Sequence, residues 1–229
     1  MAPARWNGAL EVGDGWARWR GVAGDASLHA HSAAQAVLGP CEATDERGRA
    51  IAAERLLIEP MARHRLAAGA ELDLVFVEPW AQPRALPAGI VDTLAALPLA
   101  TPVLGGGLFW TAWRDAQARC AASDDAWSDG ARTFVDERLA DGPLRLDDLA
   151  AHLGLSTDRT RHRFAAAIGL PFKRYVLWRR LRLASLALQR GLDATDAAHE
   201  SGFADSAHLA RTLKAMFGVT ITQALKTAT

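Results

Sequence analysis

The sequence predicts an α+β chain of more than one domain: an N-terminal antiparallel β-barrel with linker helices behind it, then a C-terminal all-α domain built on two helix-turn-helix units. Three observations carry this. Up to about Val77 the chain breaks into short apolar segments bounded by Gly, Pro and charged turns. Beyond Ala126 apolar residues recur at helical spacing instead. The halves also differ in charge: 11 Lys and Arg against 15 Asp and Glu before Ala126, and 15 against 11 from there on, so −4 and +4 lie hidden within totals of 26 and 26. With 229 residues, half of them hydrophobic, two modest cores are possible.

In the first part the segments "WARWRGV", "LHAHS", "AQAVLG", "RLLIEP", "ARHRL" and "LDLVFVEP" have strand length and Gly or Pro at their borders, and their close spacing suits a small antiparallel barrel or sandwich. Propensity alone would also allow a helix over "DERGRAIAAERLL". Pro79 to Pro102 reads as a Pro-punctuated connector with a short helix at "GIVDTLAAL". "GGGLFWTAWRDAQARCAA" then continues helically with Phe109, Trp113 and Ala116 on one side, and Ser123 to Asp125 form a polar break. The expected division is residues 1–83 for the barrel, 84–125 for linker or dimerisation helices, and 126–229 for the all-α domain.

Past the break every apolar stripe is helical. Ala131, Phe134, Val135 and Leu139 share one face, as do Leu146, Leu149 and Leu153, then Val176, Leu177, Leu181, Ala184 and Leu188 in a helix started by Pro171. Leu209, Leu213, Met216 and Phe217 follow, closed by Gly218. "LAAHLGLS" has the form of a helix-turn-helix: small Ala150 where helices cross, Gly154 free to take positive φ, Leu155 as plug, Ser156 as cap. "AAHESGF" repeats the form about 48 residues later with Ala198, Gly202 and Phe203, and Asp205 or Ser206 as cap. Two such units joined by a long helix are a strong signal where one would be weak.

Leu144 to about Gln223 resembles the DNA-binding domain of AraC-type transcription regulators. The match runs in order through Leu149, Ala150, Gly154, Ser156, Phe164, Gly169, Pro171, Phe172, Tyr175, Arg180, Leu181, Ala184, Ala198, Gly202, Phe203, Arg211, Lys214, Phe217 and Gly218. Two positions depart from the family pattern: Thr160 stands where it usually has Leu, and Ile221 where it usually has Pro. The resemblance implies double-stranded DNA as partner, and charge supports it separately. Between Arg159 and Leu192 lie nine cations and no Asp or Glu.

Roles follow by position. Asp158, Arg161 and His162 project near the N-terminal end of the first recognition helix and are the expected base readers, joined by Ser206, Ala207, Ala210 and Arg211 of the second. Asp158 is equally suited to a first-turn carboxylate that favours the helix dipole. Ser156, Arg159, Arg163, Lys173, Arg174, Arg180 and Lys214 are the expected phosphate contacts, with Arg180 also suited to a structural ion pair.

The N-terminal part resembles the cupin-like sensor barrel found in front of such domains. On a strand His29 and His31 point to one side, and His64 from a neighbouring strand would complete a three-imidazole set for a divalent metal. Gln35 stands where metal cupins usually keep Glu, and Met61 where the second motif usually has Gly. The plainer reading is that these imidazoles line the barrel or meet an organic effector. Trp16, Trp19 and Trp80 could wall an apolar pocket or simply fill the core. Trp110 and Trp113 could mark a dimerisation surface or pack on the barrel.

The expected function is a transcription regulator that binds a small-molecule or metal effector, with RNA polymerase and a second copy of the chain as further partners the resemblance admits. Two alternatives stay open: a metal-dependent cupin enzyme fused to a DNA-binding module, and a DNA-binding protein whose barrel only dimerises. Against the enzyme, no general acid or base stands out beside the histidines, and no catalytic residue is assigned. Cys41 and Cys120 are too few for a disulfide framework or a Cys-based zinc site and read as reduced thiols. The N-terminus lacks the apolar run of a signal peptide and nothing spans a bilayer, so a cytoplasmic protein is expected.

Overall fold

The computed structural model describes residues 4–119 and 126–220. The polar break at Ser123 to Asp125, Cys120 and Ile221 lie outside the described residues. The chain divides into two compact units, Met1–Ala121 with Leu213–Thr229, and Ala122–Thr212.

The first unit is a seven-stranded sheet. Its strands are β1 (Asn7–Val12), β2 (Trp16–Val22), β3 (Ala34–Asp45), β4 (Ala50–Ile58), β5 (His64–Leu66), β6 (Glu71–Val77) and β7 (Val103–Leu104), in the order β1-β2-β6-β3-β4-β7 with β5 paired to β3. All pairs are antiparallel except β4 with β7. Among the described residues no pairing joins β1 to β7, so the expected closure into a barrel is not found. The sheet is apolar on both sides, and each side needs cover. Period-two alternation sends Trp19, Val37, Leu56, Ile58, Leu72 and Leu74 to one core. Leu57, Val75 and Val77 go to the other, which Ile90 and Leu94 of α1 (Ala88–Ala95) and Trp110 and Trp113 of α2 (Leu108–Arg119) cover. Trp110 and Trp113 are therefore packing residues, 2% and 5% exposed, rather than a free dimerisation surface. Trp19 and Trp80 are buried too.

Two segments differ from their sequence reading. "LHAHS" is not a strand; it meets β5 only through an isolated bridge, His29 to His64, with N–H to carbonyl distances of 3.0 and 2.9 Å. "DERGRAIAAERLL" is a hairpin, not a helix. The Asp45 carboxylate accepts from the Arg47 and Arg49 N–H groups at 2.9 Å each and holds the turn that leads into β4. Local side-chain bonding and sheet pairing override helical propensity here.

A buried carboxylate that no sequence motif marks fixes α2. Glu59, just past β4, accepts from the Phe109 and Trp110 N–H groups at 2.9 and 3.1 Å, satisfying donors at the positive end of the helix. The Trp110 indole donates to the Ile58 carbonyl at 3.1 Å. Strand and helix are thereby tied at one corner.

The second unit is helical: α3 (Ala126–Arg138), α4 (Leu146–His152), α5 (Thr157–Ile168), α6 (Phe172–Gln189), α7 (Ala194–Glu200) and the start of α8 (Ser206–Phe217). The predicted inner faces are found, with Ala131, Phe134, Val135, Leu139, Leu149, Phe164, Leu181, Ala184 and Leu209 all buried. Arg179 adds an unforeseen tie. Its guanidinium donates to both carboxylate oxygens of Asp136 on α3 at 2.9 and 2.8 Å. Among the described residues no helix is long and apolar enough to cross a membrane.

Candidate functional site

The first helix-turn-helix forms as its sequence dictates. Gly154 takes φ 63°, and the Leu155 N–H donates back to the Ala150 carbonyl at 3.0 Å. Ser156 caps α5 by accepting from the Arg159 N–H at 3.3 Å. The Thr157 hydroxyl donates to Asp147 at 2.6 Å, linking α4 to α5 across the turn.

Thr160, Phe164 and Ile168 form the inner face of α5, so its polar residues point outward. Asp158, Arg159, Arg161, His162 and Arg163 are all exposed. Thr160 is fully buried and its hydroxyl has no hydrogen-bond partner. Thr160→Val should therefore stabilise the protein by about 1 kcal/mol, since it replaces an unpaired buried hydroxyl with a methyl of the same shape. A lower urea midpoint for the variant would contradict this.

In the second unit of the pair Gly202 takes φ 77°, and the Phe203 N–H donates to the Ala198 carbonyl at 2.9 Å. Of the two candidate caps Asp205 serves, accepting from the His208 N–H. Ala207 and Arg211 are exposed; Ser206 and Ala210 are half-buried.

Several of the nine cations are engaged within the fold. Arg161 pairs with Asp158, Arg190 with Glu200 and Arg179 with Asp136. Arg163 lies over the Trp127 ring, 4.5 Å from its centroid. Arg180 donates to the Gly142 carbonyl, and burial lowers its pKa. Its position thus serves the fold. Arg159 and Lys173 stand exposed at the surface, and Arg174 is half-buried. Lys214 is exposed on the last turn of α8, in the stretch that belongs to the first unit. Linear counting could not see this sorting, because Asp136, Gly142 and Trp127 lie far away in sequence.

In the first unit His29, His31 and His64 converge, and one ring nitrogen of each lies within 4.8 Å of the others. Each Nδ1 faces a backbone carbonyl: Ser27 at 2.8 Å, Ala33 at 2.8 Å and Ala62 at 3.0 Å. A carbonyl can only accept, so the Nδ1 atoms of His29 and His64 carry the proton and their Nε2 atoms keep the lone pair, whereas both ring nitrogens of His31 face an oxygen. Burial holds the rings neutral. It lowers the His29 pKa to about 4, helped by His31, lowers that of His31, and sends that of His64 well below its ordinary value, helped by both neighbours.

Gln35 on β3 is buried, and its side-chain amide lies 2.9 Å from His31 Nε2. Phe217 stacks on His31 with centroids 5.8 Å apart, and the Ser27 N–H donates to the Gly218 carbonyl at 3.1 Å, all within the first unit. By periodicity Phe217 belongs only to a helix core, and no linear signal joins it to His31.

Beside the cluster the Met61 N–H donates to the His31 carbonyl at 2.9 Å while Met61 holds φ 67°. Left-handed backbone costs a non-glycine residue roughly 1–2 kcal/mol, partly offset by the chain entropy glycine loses, so Met61→Gly should stabilise by about 0.5–1 kcal/mol. A loss on denaturant titration would show that the Met61 side chain outweighs the strain.

Comparison with known proteins adds a domain match and a fold. A family profile described as a helix-turn-helix domain matches residues 149–227. The structure of ToxT from Vibrio cholerae O395 superposes with a TM-score of 0.58 at 10% identity, covering 95% of this chain and 99% of that one. ToxT of strain SCE256 bound to an unsaturated fatty acid gives 0.54 at 11% identity, covering 91% and 94%. A transcriptional regulator from Chromobacterium violaceum, described by its AraC-type DNA-binding domain, covers 47% of this chain and 96% of its own at 22% identity, with a TM-score of 0.43. No curated protein matches the sequence.

Proposed function

We propose that the chain, with a helix-turn-helix domain matched at residues 149–227 and a β-sheet unit before it, is an AraC-type transcription regulator that reads DNA with α5 and α8 and answers to an effector held by the sheet unit. The supporting observation is the first helix-turn-helix: a capped α5 turns Asp158, Arg161 and His162 to solvent on the face opposite Phe164. In the major groove Arg161 can grip the O6 and N7 of guanine, and Asp158 can accept from cytosine N4. On α8 Arg211 is the corresponding reader, with Ser206, Ala207 and Ala210 offering small side chains that let the helix approach the bases. Arg159, Lys173 and Arg174, helped by Arg163 and Lys214, neutralise phosphates, the Ser156 hydroxyl can donate to a phosphate oxygen, and these contacts set the register.

ToxT has been solved with an unsaturated fatty acid, which supports treating the present chain as effector-responsive as well. Genome-wide mapping of bound DNA with and without candidate effectors tests the proposal. Defined sites whose occupancy changes with one effector are expected. Diffuse binding would remove the sequence-reading role, and fixed occupancy under all effectors would leave the sheet unit a dimerisation module.

A further inference from the structure

Asp147 and Asp148 both stand in the first turn of α4, but their carboxylates face different tasks. Asp148 accepts from the Arg145 N–H at 2.7 Å and so satisfies a donor at the start of its own helix. Asp147 reaches the other way. It accepts the Thr157 hydroxyl at 2.6 Å, ten residues along the chain, where α5 begins. Among the described residues this is the one side-chain hydrogen bond between α4 and α5.

The bond lies where packing holds α5 least. The inner face of α5 runs Thr160, Phe164, Ile168, so large apolar side chains anchor only its later turns. Its start is held by a buried threonine whose hydroxyl has no hydrogen-bond partner. The turn's own bonds, from the Gly154 N–H to the Ala151 carbonyl at 3.2 Å and from the Leu155 N–H to the Ala150 carbonyl at 3.0 Å, fix the end of α4 and do not reach α5. Thr157 precedes Thr160 by one turn, so its bond to Asp147 restrains the loosely packed end. That end carries Asp158, Arg161 and His162, and a bidentate grip on a base edge tolerates displacements of only about 0.5 Å.

Asp147 also has a cost toward DNA. An exposed carboxylate beside the start of α5 repels phosphates of every sequence. Restraint and repulsion act on different quantities, discrimination and general affinity, and can be separated.

We propose that Asp147 and Thr157 are positioning residues: their hydrogen bond sets the angle at which α5 presents Arg161 and its neighbours to the bases, and Asp147 lowers general DNA affinity while raising discrimination. The inference rests on the DNA-reading role of α5 proposed above.

Variants of the full-length protein, each checked for a cooperative urea transition, would be measured on the duplex the wild type prefers and on a random duplex, at about 0.1 M salt. Thr157→Val keeps the shape and the neighbouring charge but loses the donor. Its ratio of preferred to random affinity should fall about 2- to 10-fold, the range of one ordinary hydrogen bond, with random affinity unchanged. Asp147→Ala should lower the ratio as much while random affinity rises about 2-fold. Asp147→Asn keeps an acceptor without the charge, so random affinity should rise and the ratio hold. Thr157→Ser keeps the hydroxyl and should match the wild type.

A bond that only stabilised the fold would shift the urea midpoint of Thr157→Val and leave the ratio alone, which overturns the positioning role. Unchanged ratios in Thr157→Val and Asp147→Ala, while Arg161→Ala relaxes discrimination, overturn it too and keep α5 as the reader. Equal losses on both duplexes in Thr157→Val would make Thr157 a phosphate contact instead. If Arg161→Ala itself changes no ratio, α5 is not the reader and the inference falls with that reading.

Discussion

Gly202→Ala is expected to cost more than about 4 kcal/mol and to leave the second helix-turn-helix unformed, because two separate penalties fall on one atom. The backbone at φ 77° already penalises any side chain by roughly 1–2 kcal/mol. In addition, a Cβ at this position would lie 2.2 Å from the Leu139 carbonyl oxygen, which belongs to backbone at the end of α3 and cannot rotate away. Gly154 provides the control. It occupies the same turn position in the first helix-turn-helix at φ 63°, and a Cβ there would meet nothing within 4 Å, so Gly154→Ala should cost only the roughly 1–2 kcal/mol of backbone strain. Helical circular dichroism during urea titration measures both. Equal costs would show that the approach of Gly202 to Leu139 carries no weight.

Arg161→Ala is expected to leave stability almost unchanged and to lose about 1–3 kcal/mol of discrimination at one base pair. The first half follows from exposure. Arg161 and Asp158 pair one turn apart with side chains 57% and 81% exposed, and such surface pairs contribute only about 0–1 kcal/mol. The second half follows from what DNA offers instead, a guanine edge that takes both guanidinium donors at once. Binding to a preferred site and to random sequence, measured at one salt concentration, gives the ratio that matters. Equal losses on both would make Arg161 a phosphate contact.

The sequence made some of this legible and hid the rest for physical reasons. The helical domain could be read because each decisive feature is local: Gly154 and Gly202 at positive φ, Ser156 as cap, and apolar residues at a 3.6-residue period. Thr160 could even be singled out as a polar residue in a core position, and it is buried without a partner.

The sheet was harder. Ring closure depends on how β1 and β7 end, and the two-sided core depends on α1 and α2 folding back over it, neither of which is encoded in any single segment. "LHAHS" shows the same limit, since its histidines converge with His64 although the segment is not a strand. Charge was legible as a total but not in its distribution. Arg179, Arg180 and Arg163 count toward a cationic run, yet distant Asp136, Gly142 and Trp127 engage them within the fold. Arg159 and Lys173 stay exposed.

The most direct test is selection of bound duplexes from a randomised DNA pool by the full-length protein, followed by affinity measurements on the winner across a range of salt. Two recurring submotifs about one helical turn, roughly 10 bp, apart are predicted, one for each recognition helix. Affinity should fall linearly on a log–log plot against salt as phosphate contacts release counterions. Enrichment of no sequence, or of a single short submotif unaffected by Arg211→Ala, would contradict the reading of two helix-turn-helix units acting together on DNA.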